Sequence, residues 1–433
     1  MIVSRYTELI TDKVGGNYMF NCLNRKWVIL DKKLFDITKS NYNNIDHLKQ
    51  LHPDFYKMLV EERFIVDTTE QDIKNGINYV VEQYDSYENI TVTINPTMDC
   101  NLRCWYCYEN REPKSVMSDD VLVRTISYIT ALLSTRKIST LRLSFFGGEP
   151  LLYYGKIISP IVHSVYEACK KFGTILFLTF TTNGLLVNDI LLDDLEQFDG
   201  LLSRTNFQIA FDGSKEYHDS IKYLGAGHSC YDQTISNVRK VIERGGHAVV
   251  RCNYDAKTLM SFIEVIDNLK EYHSRPNLRF LFQKIWQETK NDELLALRKK
   301  FKQITESRYN INSNLHNLLG NSLHRCYADY RHNVVINYNG LLYRCTARSF
   351  SKENSFGSLG VDGIIESRHD TSNKHPIPMG EYCKECRILP ICPCCSQNKL
   401  EQGQTQCPIN INEEGMERNI WSAFQDLSGV KVL

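Results

Sequence analysis

From residue 89 to about residue 282 the chain alternates between strand-like and helix-like patterns. Repeated β–α units at this spacing predict a parallel sheet, either open or closed into a barrel. Six segments are strand candidates: Ile90–Ile94, Leu141–Phe146, Ile175–Phe180, Phe207–Phe211, Ala248–Asn253 and Leu278–Phe282. Helical periodicity lies between them, at Val121–Leu133, Ile157–Lys171, Asp189–Gln197, Tyr231–Glu243 and Leu259–Tyr272. Because six strands are fewer than the eight of a complete barrel, we predict an α/β fold with a partial (β/α)6 TIM-like barrel.

The first 85 residues lack this rhythm and predict a small α+β or winged-helix-like module. Its expected elements are short strands around Tyr18–Phe20 and Trp27–Leu30, helical turns at Ile45–Leu51 and Phe55–Val60, and a closing strand at Phe64–Val66. The charged stretch Asp67–Lys74 is typical of a connection.

The last third of the chain also departs from the β–α repeat. The charged, Asn-rich stretch Gln287–Leu315 is expected to be a bridge. Beyond it, the Asn339-Gly340 turn signal between two apolar runs predicts a β-hairpin. The remaining segment is dense in Cys, Pro and Gly and would need metal staples to fold. We therefore predict domains at residues 1–85, 86–310 and 311–433.

Composition excludes several classes of protein. The formal net charge is zero, so no field attracts the chain to nucleic acid or to a membrane surface. No apolar run approaches the ~18 residues of a membrane span, and the start of the chain does not resemble a signal peptide. We expect a cytoplasmic protein.

Fifteen cysteines are a high count for such a protein, and eight of them lie after residue 325. In a reducing compartment, clustered cysteines are more often metal ligands than disulfide partners. Four stand alone in periodic segments and are expected to be small buried hydrophobes: Cys22, Cys169, Cys230 and Cys252. The other eleven are spaced too closely for that interpretation.

Cys100, Cys104 and Cys107 lie directly after the first predicted strand of the β/α repeat. Three thiolates within eight residues can bind one cubane cluster from a single loop, whereas a four-iron cluster normally takes four cysteines. One iron would then be open, as in a catalytic site. A structural zinc loop is the alternative, and the position of the motif at a strand end of a β/α series counts against it.

Motifs at later strand ends strengthen the catalytic interpretation. Gly147-Gly148-Glu149-Pro150 ends the second strand, Thr181–Gly184 follows the third, Phe211–Gly213 ends the fourth, and Arg251-Cys252-Asn253 ends the fifth. Each is weak by itself, because Gly-rich turns are common after strands. Together with the CxxxCxxC loop they resemble the radical S-adenosylmethionine (SAM) superfamily. The resemblance implies that SAM chelates the open iron and is cleaved to a 5′-deoxyadenosyl radical, which abstracts hydrogen from a substrate.

The same resemblance implies the residues that contact SAM. They are Tyr106, Gly147, Gly148, Glu149, Pro150, Asn183, Asp212, Lys222, Arg251 and Asn253. Lys222 departs from the pattern, since relatives often carry an arginine there that contacts the SAM carboxylate. A lysine replaces a bidentate fork with a point charge.

The C-terminal cysteines resemble the SPASM extension of this superfamily, which implies two auxiliary [4Fe-4S] clusters and three clusters in all. The distal cluster is assigned to Cys383, Cys386, Cys392 and Cys407. The proximal cluster would take Cys326, Cys345 and either or both of Cys394 and Cys395. If both of these adjacent cysteines bind, that cluster is closed; if one binds, an iron is open. A pair of zinc ribbons is the alternative.

A module ahead of a radical SAM–SPASM body resembles peptide maturases, in which it binds the leader of a ribosomal precursor peptide by strand addition. That resemblance implies a precursor peptide substrate, a reductant such as flavodoxin or ferredoxin, and thioether formation, carbon–carbon or carbon–oxygen crosslinking, or epimerisation. A small domain that only caps the barrel is the alternative for this module. The alternative enzyme is a sulfatase-maturating-type dehydrogenase that forms formylglycine. A metal-stapled peptide-binding protein without catalysis is a third, non-enzymatic alternative. No catalytic base can be assigned by spacing.

Overall fold

In the computed structural model of the chain, residues 1–222, 229–289, 292–311, 326–367, 379–402 and 406–430 are described. They fall into two compact units. Unit 1 contains residues from both ends of the chain, 1–86, 326–331 and 379–430, and unit 2 contains residues 87–311 and 332–367. Residues of the predicted 311–433 domain therefore belong to both units, since strands within it pair with the sheet of unit 2.

The N-terminal part of unit 1 is a three-stranded antiparallel sheet followed by helices. Its strands are β1 (Ile2–Val3), β2 (Thr7–Thr11), β3 (Asn17–Asn21), β4 (Lys26–Leu30) and β5 (Ile65–Val66), and its helices are α1 (Lys32–Ser40), α2 (Asp46–Leu51), α3 (Pro53–Glu61) and α4 (Thr69–Asp85). The strand order of the larger sheet is β2-β3-β4, and β1 pairs with β5. Strands β3 and β4, helices α2 and α3 and the closing strand β5 lie where the sequence predicted the elements of a small α+β module.

The expected connection at Asp67–Lys74 is wrong, because Thr69 begins the 17-residue helix α4. Thr68 caps this helix by accepting a hydrogen bond from the Gln71 N–H, and Glu70 and Asp72 lie in its first turn. Acidic side chains in the first turn stabilise a helix, because they interact favourably with the positive end of its dipole. The charges that suggested a loop are therefore the N-terminal turn of a helix.

Unit 2 is built on one sheet of ten strands. The strands are β6 (Asn89–Ile94), β7 (Thr140–Phe145), β8 (Ile175–Thr182), β9 (Thr205–Phe211), β10 (His247–Tyr254), β11 (Leu278–Lys284), β12 (Val334–Ile336), β13 (Leu341–Tyr343), β14 (Gly357–Leu359) and β15 (Ile365–Ser367). Their order is β11-β10-β9-β8-β7-β6-β12-β13-β14-β15, and the first six are parallel as predicted. The helices are α5 (Asp119–Thr135), α6 (Ser159–Phe172), α7 (Asp189–Glu196), α8 (Lys215–Ile221), α9 (Cys230–Glu243), α10 (Phe262–Asn268) and α11 (Asp292–Tyr309).

Three features of unit 2 differ from the sequence expectations. The predicted helix Leu259–Tyr272 is divided into two 3-10 turns around the short α10. The expected bridge Gln287–Leu315 contains α11, which buries Leu294, Phe301 and Thr305 on one face; residues 290, 291 and 312–315 lie outside the described residues. The predicted hairpin forms as β12 and β13, and β12 also adds in parallel to β6.

The C-terminal part of unit 1 completes the core of its N-terminal sheet. It contains α12 (Glu381–Lys384), α13 (Ser396–Glu401) and α14 (Glu413–Ser428). The ring of Phe424 on α14 packs 5.0 Å from Tyr18, 5.6 Å from Phe20 and 5.9 Å from Trp27, measured between ring centroids. Across the described residues, no helix has the length and apolar character needed to span a bilayer.

Candidate active site at the carboxyl ends of the parallel strands

The predicted site residues of unit 2 lie at or beyond the carboxyl ends of β6 to β10. These strands are in register, since Ile94 pairs with Phe145, Phe145 with Phe180, and Thr182 with Ile209. The ends of parallel strands in register meet at one edge of the sheet, where the loops form a site.

Asp99 holds the start of the cysteine loop. Its carboxylate accepts hydrogen bonds from the backbone N–H of Cys100 at 2.8 Å and of Lys114 at 2.7 Å, and it pairs with Arg111 at 2.7 Å. Burial by itself would raise the pKa of Asp99, but these hydrogen bonds outweigh it and lower the pKa. Asp99 is not among the site residues predicted from the sequence. An acidic residue directly before the first cysteine of the loop is the signal that could have indicated it.

Gly147 and Gly148 fix the loop against the end of β7. Gly147 has a φ of +108°, and a Cβ atom there would lie 2.3 Å from the Thr97 carbonyl oxygen. A Cβ on Gly148 would lie 2.1 Å from the carbonyl oxygen of Asp99. Hydrogen bonds from Gly148 N–H to Thr97 and from Glu149 N–H to Asp99 close this contact, at 3.1 and 2.8 Å. The close backbone approach that requires glycine is therefore to the cysteine loop itself.

Glu149 is fully buried beside this contact. Its carboxylate accepts hydrogen bonds from the Leu151 N–H at 3.1 Å, the Thr182 hydroxyl at 2.7 Å and the Asn183 N–H at 2.8 Å. Burial raises its pKa, while these donors and the nearby Lys222 oppose the rise. The three donors tie the ends of β7 and β8 together and fix the orientation of the carboxylate. Pro150 follows Glu149 and begins a 3-10 turn.

A chain of polar contacts connects the remaining predicted residues. Arg251 donates to Asn253 at 3.0 Å, the Asn253 amide donates to the Tyr106 hydroxyl at 3.2 Å, and Tyr106 donates to Asp212. The ammonium of Lys222 lies 3.3 Å from Asp212, and both side chains are almost completely buried. Lys222 also donates to the carbonyl of Ala210. Burial and the Asp212 carboxylate raise the pKa of Tyr106 well above its usual value. The cysteine loop is thus connected to β9 and β10 through its own Tyr106.

Of the three cysteines of the loop, Cys100 and Cys104 are partly buried and Cys107 is exposed, and their thiols are electrostatically coupled. Burial raises the pKa of Cys104 to about 12, with Lys222 lowering it and Asp212, Cys100 and Cys107 raising it further. Burial also raises the pKa of Cys100 and of Cys107. The Leu102 N–H donates to Cys100 Sγ at 3.4 Å, a contact that would stabilise a thiolate. A thiol with a raised pKa stays protonated near neutral pH, and it loses its proton when it binds a metal.

Residues 94–267 match the family model of the Radical SAM superfamily. The chain contains a radical SAM domain. Among curated proteins, GTP 3′,8-cyclase of Chlorobaculum tepidum is 34% identical over 97 residues, which are 22% of this chain and 26% of that protein. The chain thus spans about a quarter of the length of this curated relative.

Solved structures share the fold of the radical SAM domain and of further parts of the chain. A structure of anSMEcpe with bound AdoMet has a TM-score of 0.55 at 15% identity and covers 79% of this chain and 93% of its own. SuiB of Streptococcus suis bound to S-adenosylmethionine has a TM-score of 0.50 at 18% identity, covering 96% of this chain and 100% of its own. At these identities the likeness is one of fold. It confirms the α/β architecture predicted from the strand rhythm.

A radical SAM domain implies SAM and one four-iron cluster, and the site residues fit them. The loop at the strand edge supplies three thiols. The carboxylates of Glu149 and Asp212 and the ammonium of Lys222 are close enough to affect the pKa values of these thiols. In the described part of the chain, no three His, Cys, Asp or Glu side chains converge as they would around a single ion. A cubane cluster spreads its thiolates farther apart than one ion does, because each thiolate binds a different iron.

Other residues of this edge were not expected from the sequence. Asn101 of the cysteine loop is one of them, and its side-chain oxygen accepts a hydrogen bond from the predicted site residue Asn183 at 2.7 Å. Gln287, just beyond β11, donates to the Tyr106 carbonyl at 2.9 Å. No motif marks the end of the sixth parallel strand. The position of Gln287 just after that strand is the signal that could have indicated a site residue there. His218, in α8, is fully buried, and burial lowers its pKa well below the usual range.

In unit 1 the structure brings the C-terminal cysteines into electrostatic contact. Cys386 interacts electrostatically with Cys383, Cys392 and Cys407, and together these cysteines are the four of the predicted distal set. Burial raises the pKa of Cys386 to about 11. Burial raises the pKa of Cys394 to about 12, and Cys392, Cys395 and Cys407 raise it further. Cys326 belongs to unit 1 and Cys345 to unit 2. Their predicted sharing of a proximal cluster stays a prediction.

The four isolated cysteines are buried, as expected for small hydrophobes. They are Cys22, Cys169, Cys230 and Cys252. Cys22 donates to the carbonyl of Arg387 at 3.6 Å, so the N-terminal sheet contacts the cysteine-rich segment within unit 1.

Proposed function

We propose that the chain is a radical SAM peptide maturase that modifies a ribosomal precursor peptide. The observation that supports the chemistry is the cysteine loop, which is tied to four neighbouring strand ends through Asp99, Glu149, Tyr106 and Asn183. When bound, the cluster and SAM supply a 5′-deoxyadenosyl radical that abstracts hydrogen from the substrate.

The residues of the chain bind and orient the cofactors. Cys100, Cys104 and Cys107 would hold the cluster, and the buried carboxylates of Glu149 and Asp212 would take part in binding SAM. The buried ammonium of Lys222 balances the charge of the Asp212 carboxylate. A fixed, largely buried polar edge excludes water and needs little reorganisation when a radical forms.

The free edge of β4 supports the peptide substrate. In the described residues of unit 1, β4 pairs only with β3, and it leaves Trp27 36% and Ile29 69% exposed. An extended peptide can add to such an edge by main-chain hydrogen bonds, with apolar side chains giving specificity. A structure of anSMEcpe with AdoMet and the Kp18Cys peptide, with a TM-score of 0.54 at 16% identity, shows a peptide bound to a protein of this fold.

The remaining cofactors and partners belong to the same proposal. Cys383, Cys386, Cys392 and Cys407 would hold the distal auxiliary cluster, and Cys326, Cys345 and either or both of Cys394 and Cys395 would supply the proximal one. A cytoplasmic flavodoxin or ferredoxin would deliver the electron. The bond formed in the peptide is a thioether, a carbon–carbon or carbon–oxygen crosslink, or an epimerised centre.

SAM cleavage tests the chemistry. After anaerobic reconstitution and reduction with dithionite, the wild-type chain should convert SAM to 5′-deoxyadenosine, measured by liquid chromatography. Cys104→Ala should lose at least about 100-fold of this rate, since the cluster loses a ligand. Cys169→Ala, a buried cysteine on α6, is the matched control and should keep the rate. No 5′-deoxyadenosine from the wild type would refute the proposed chemistry.

The peptide tests the substrate class. Short peptides encoded beside the gene should bind the wild-type chain and change mass when SAM and reductant are added. Ile29→Lys should weaken binding, because it places a charge on the apolar edge of β4. Lys33→Ile, an exposed position on α1, serves as the control. If SAM is cleaved but a sulfatase-derived Cys or Ser peptide alone is oxidised, the dehydrogenase replaces the maturase.

A further inference from the structure

One face of the parallel sheet in unit 2 remains partly exposed. In β7, Leu141 and Leu143 are fully buried, whereas Arg142 between them is only partly buried. The same alternation continues along β8, β9 and β10. The strand register places Arg142 beside Thr91 of β6 and Phe177 of β8 on the partly exposed side, which we call the inner face.

The charged side chains of the inner face are all arginines. They belong to Arg142 of β7, Arg251 of β10 and Arg279 of β11. In the described strands β6 to β11, no aspartate or glutamate occupies a position on this face. The carboxylates of Glu149 and Asp212 at the edge of the sheet are buried and already accept hydrogen bonds. The charge of the inner face therefore favours an anionic ligand.

Two neighbours hold the side chain of Arg142 in place. Its Nη1 donates a hydrogen bond to the Thr179 hydroxyl at 3.2 Å. Its guanidinium carbon lies 5.3 Å from the centre of the Phe177 ring, which is a cation–π contact. Among the described residues, its Nε and Nη2 have no hydrogen-bond partner, and neither nitrogen is enclosed. Since a guanidinium has five N–H groups, donors remain for a ligand.

The charge of Arg142 is not compensated by the part of the chain that the structure describes. Burial lowers the pKa of Arg142, whereas a nearby carboxylate would raise it. A partly buried charge without a counter-ion lowers the stability of a fold, and an apolar side chain of similar length avoids that cost. The sheet by itself therefore gives no reason for an arginine at this position.

We infer that Arg142 binds the carboxylate of an acidic side chain in the peptide substrate. This inference rests on the proposed peptide substrate. Arg142 lies three residues before the end of β7, about 10 Å from the edge that carries the cysteine loop. A peptide on the inner face would present its acidic residue to Arg142 and a nearby residue to the edge where the radical forms. The planar guanidinium suits a carboxylate because it donates two parallel hydrogen bonds.

Small peptides on the full chain, reconstituted with its clusters, test this inference. The probes are acetyl-Gly-Glu-Gly-amide and acetyl-Gly-Gln-Gly-amide, and ligand-observed NMR measures the Kd of each. The wild type should bind the glutamate probe about tenfold more tightly than the glutamine probe. Arg142→Met should bring the two Kd values close together without lowering the melting temperature, since it removes an uncompensated charge. A purely structural arginine would lower the melting temperature and leave the preference unchanged.

The matched control is Arg136→Met. Arg136 follows α5 outside the inner face, and its guanidinium carbon lies 4.8 Å from the centre of the Tyr87 ring. This variant also removes an arginine that contacts an aromatic ring, and it should keep the preference for glutamate. Arg142→Lys keeps the charge without the planar fork and should retain part of the preference. Arg142→Gln repeats the test if the methionine variant impairs folding.

SAM also carries a carboxylate, and competition separates the two sources. The glutamate probe should still bind in saturating SAM, whereas its displacement by SAM would assign Arg142 to the cofactor and overturn the inference. Equal binding of the two probes by the wild type, an unchanged preference in Arg142→Met, or a wild type that binds neither probe also overturns it. Wild-type 5′-deoxyadenosine formation and modification of the encoded peptide are measured on the same preparation. If both occur without a preference for glutamate, only this inference fails and the proposed function stands.

Discussion

Units 1 and 2 reach their structures by opposite routes. In unit 2 each site residue follows its own strand in a regular repeat, so chain order sets position at the sheet edge. In unit 1 the N-terminal sheet is covered by residues nearly 400 positions later, where Phe424 packs on Phe20 and Arg387 pairs with Glu8 at 2.8 Å. The difference shows that the peptide-binding module proposed above is not autonomous. It depends on the cysteine-rich end of the chain.

The largest effect is expected at the glycine contact of unit 2. In Gly148→Ala the new Cβ would meet the Asp99 carbonyl oxygen at 2.1 Å, so the cysteine loop must move. A displacement of about 1 Å at a reacting centre can cost roughly 100-fold in rate, and we expect a loss of that order in 5′-deoxyadenosine formation. Gly155→Ala is the control, because its Cβ would have no neighbour within 4 Å. Equal rates for the two variants would show that the loop tolerates the shift.

The second effect should separate the two units. Phe424→Ala removes a fully buried ring from the core of unit 1 and should lower the free energy of unfolding by about 3–5 kcal/mol. Hydrogen exchange should then rise in β2, β3 and α14, while 5′-deoxyadenosine formation in unit 2 is retained. Leu427→Ala, 38% exposed on the same helix, is the control. Exchange that rises equally in the six parallel strands would show that the units unfold together.

Most elements of both units could be predicted from the sequence, and those that could not have a physical reason. Strands β6 to β11 were predictable because each is a short segment rich in apolar residues, most of them alternating buried and partly buried positions, between helices of period 3.6. Helix α4 was missed because its charged first turn resembles a loop. The hairpin of β12 and β13 was predictable from Asn339-Gly340, whereas its pairing with β6 joins Val334 to Val92 across the chain and leaves no local signal.

The site shows the same division. Cys100, Glu149 and Asn183 lie in short contiguous motifs, so their meeting at one edge follows from the parallel sheet. The pairing of Lys222 with Asp212 depends on side-chain packing after α8 and could not be read from spacing. The contact between the N-terminal sheet and α14 depends on a chain reversal that no motif records.

The smallest effect is expected on the outer helices of unit 2. Asp194 accepts hydrogen bonds from the Tyr154 hydroxyl and the His163 ring, both at 2.7 Å. Burial would raise its pKa, but these bonds lower it below 3.8. The ionised form is therefore favoured in the folded state, and its stabilisation is present above pH 3.8 and lost as pH falls through the lowered pKa.

Asp194→Asn should therefore reduce the free energy of unfolding by about 1–2 kcal/mol at pH 7. The deficit relative to wild type should shrink as pH falls below about 4. Urea unfolding at several pH values measures it, and Asp193→Asn, an exposed neighbour on α7, is the control. SAM cleavage should not change in either variant. A deficit that grows toward acid pH would contradict this account of Asp194.

The central claim is that Cys100, Cys104 and Cys107 hold a four-iron cluster with one iron open to SAM. Electron paramagnetic resonance of the reduced, reconstituted chain tests it directly. Adding SAM should change the spectrum of one cluster in the wild type, because SAM would bind the open iron, and Cys104→Ala should lose that change. A wild-type spectrum that SAM leaves unchanged, or an identical change in Cys104→Ala, would contradict the claim.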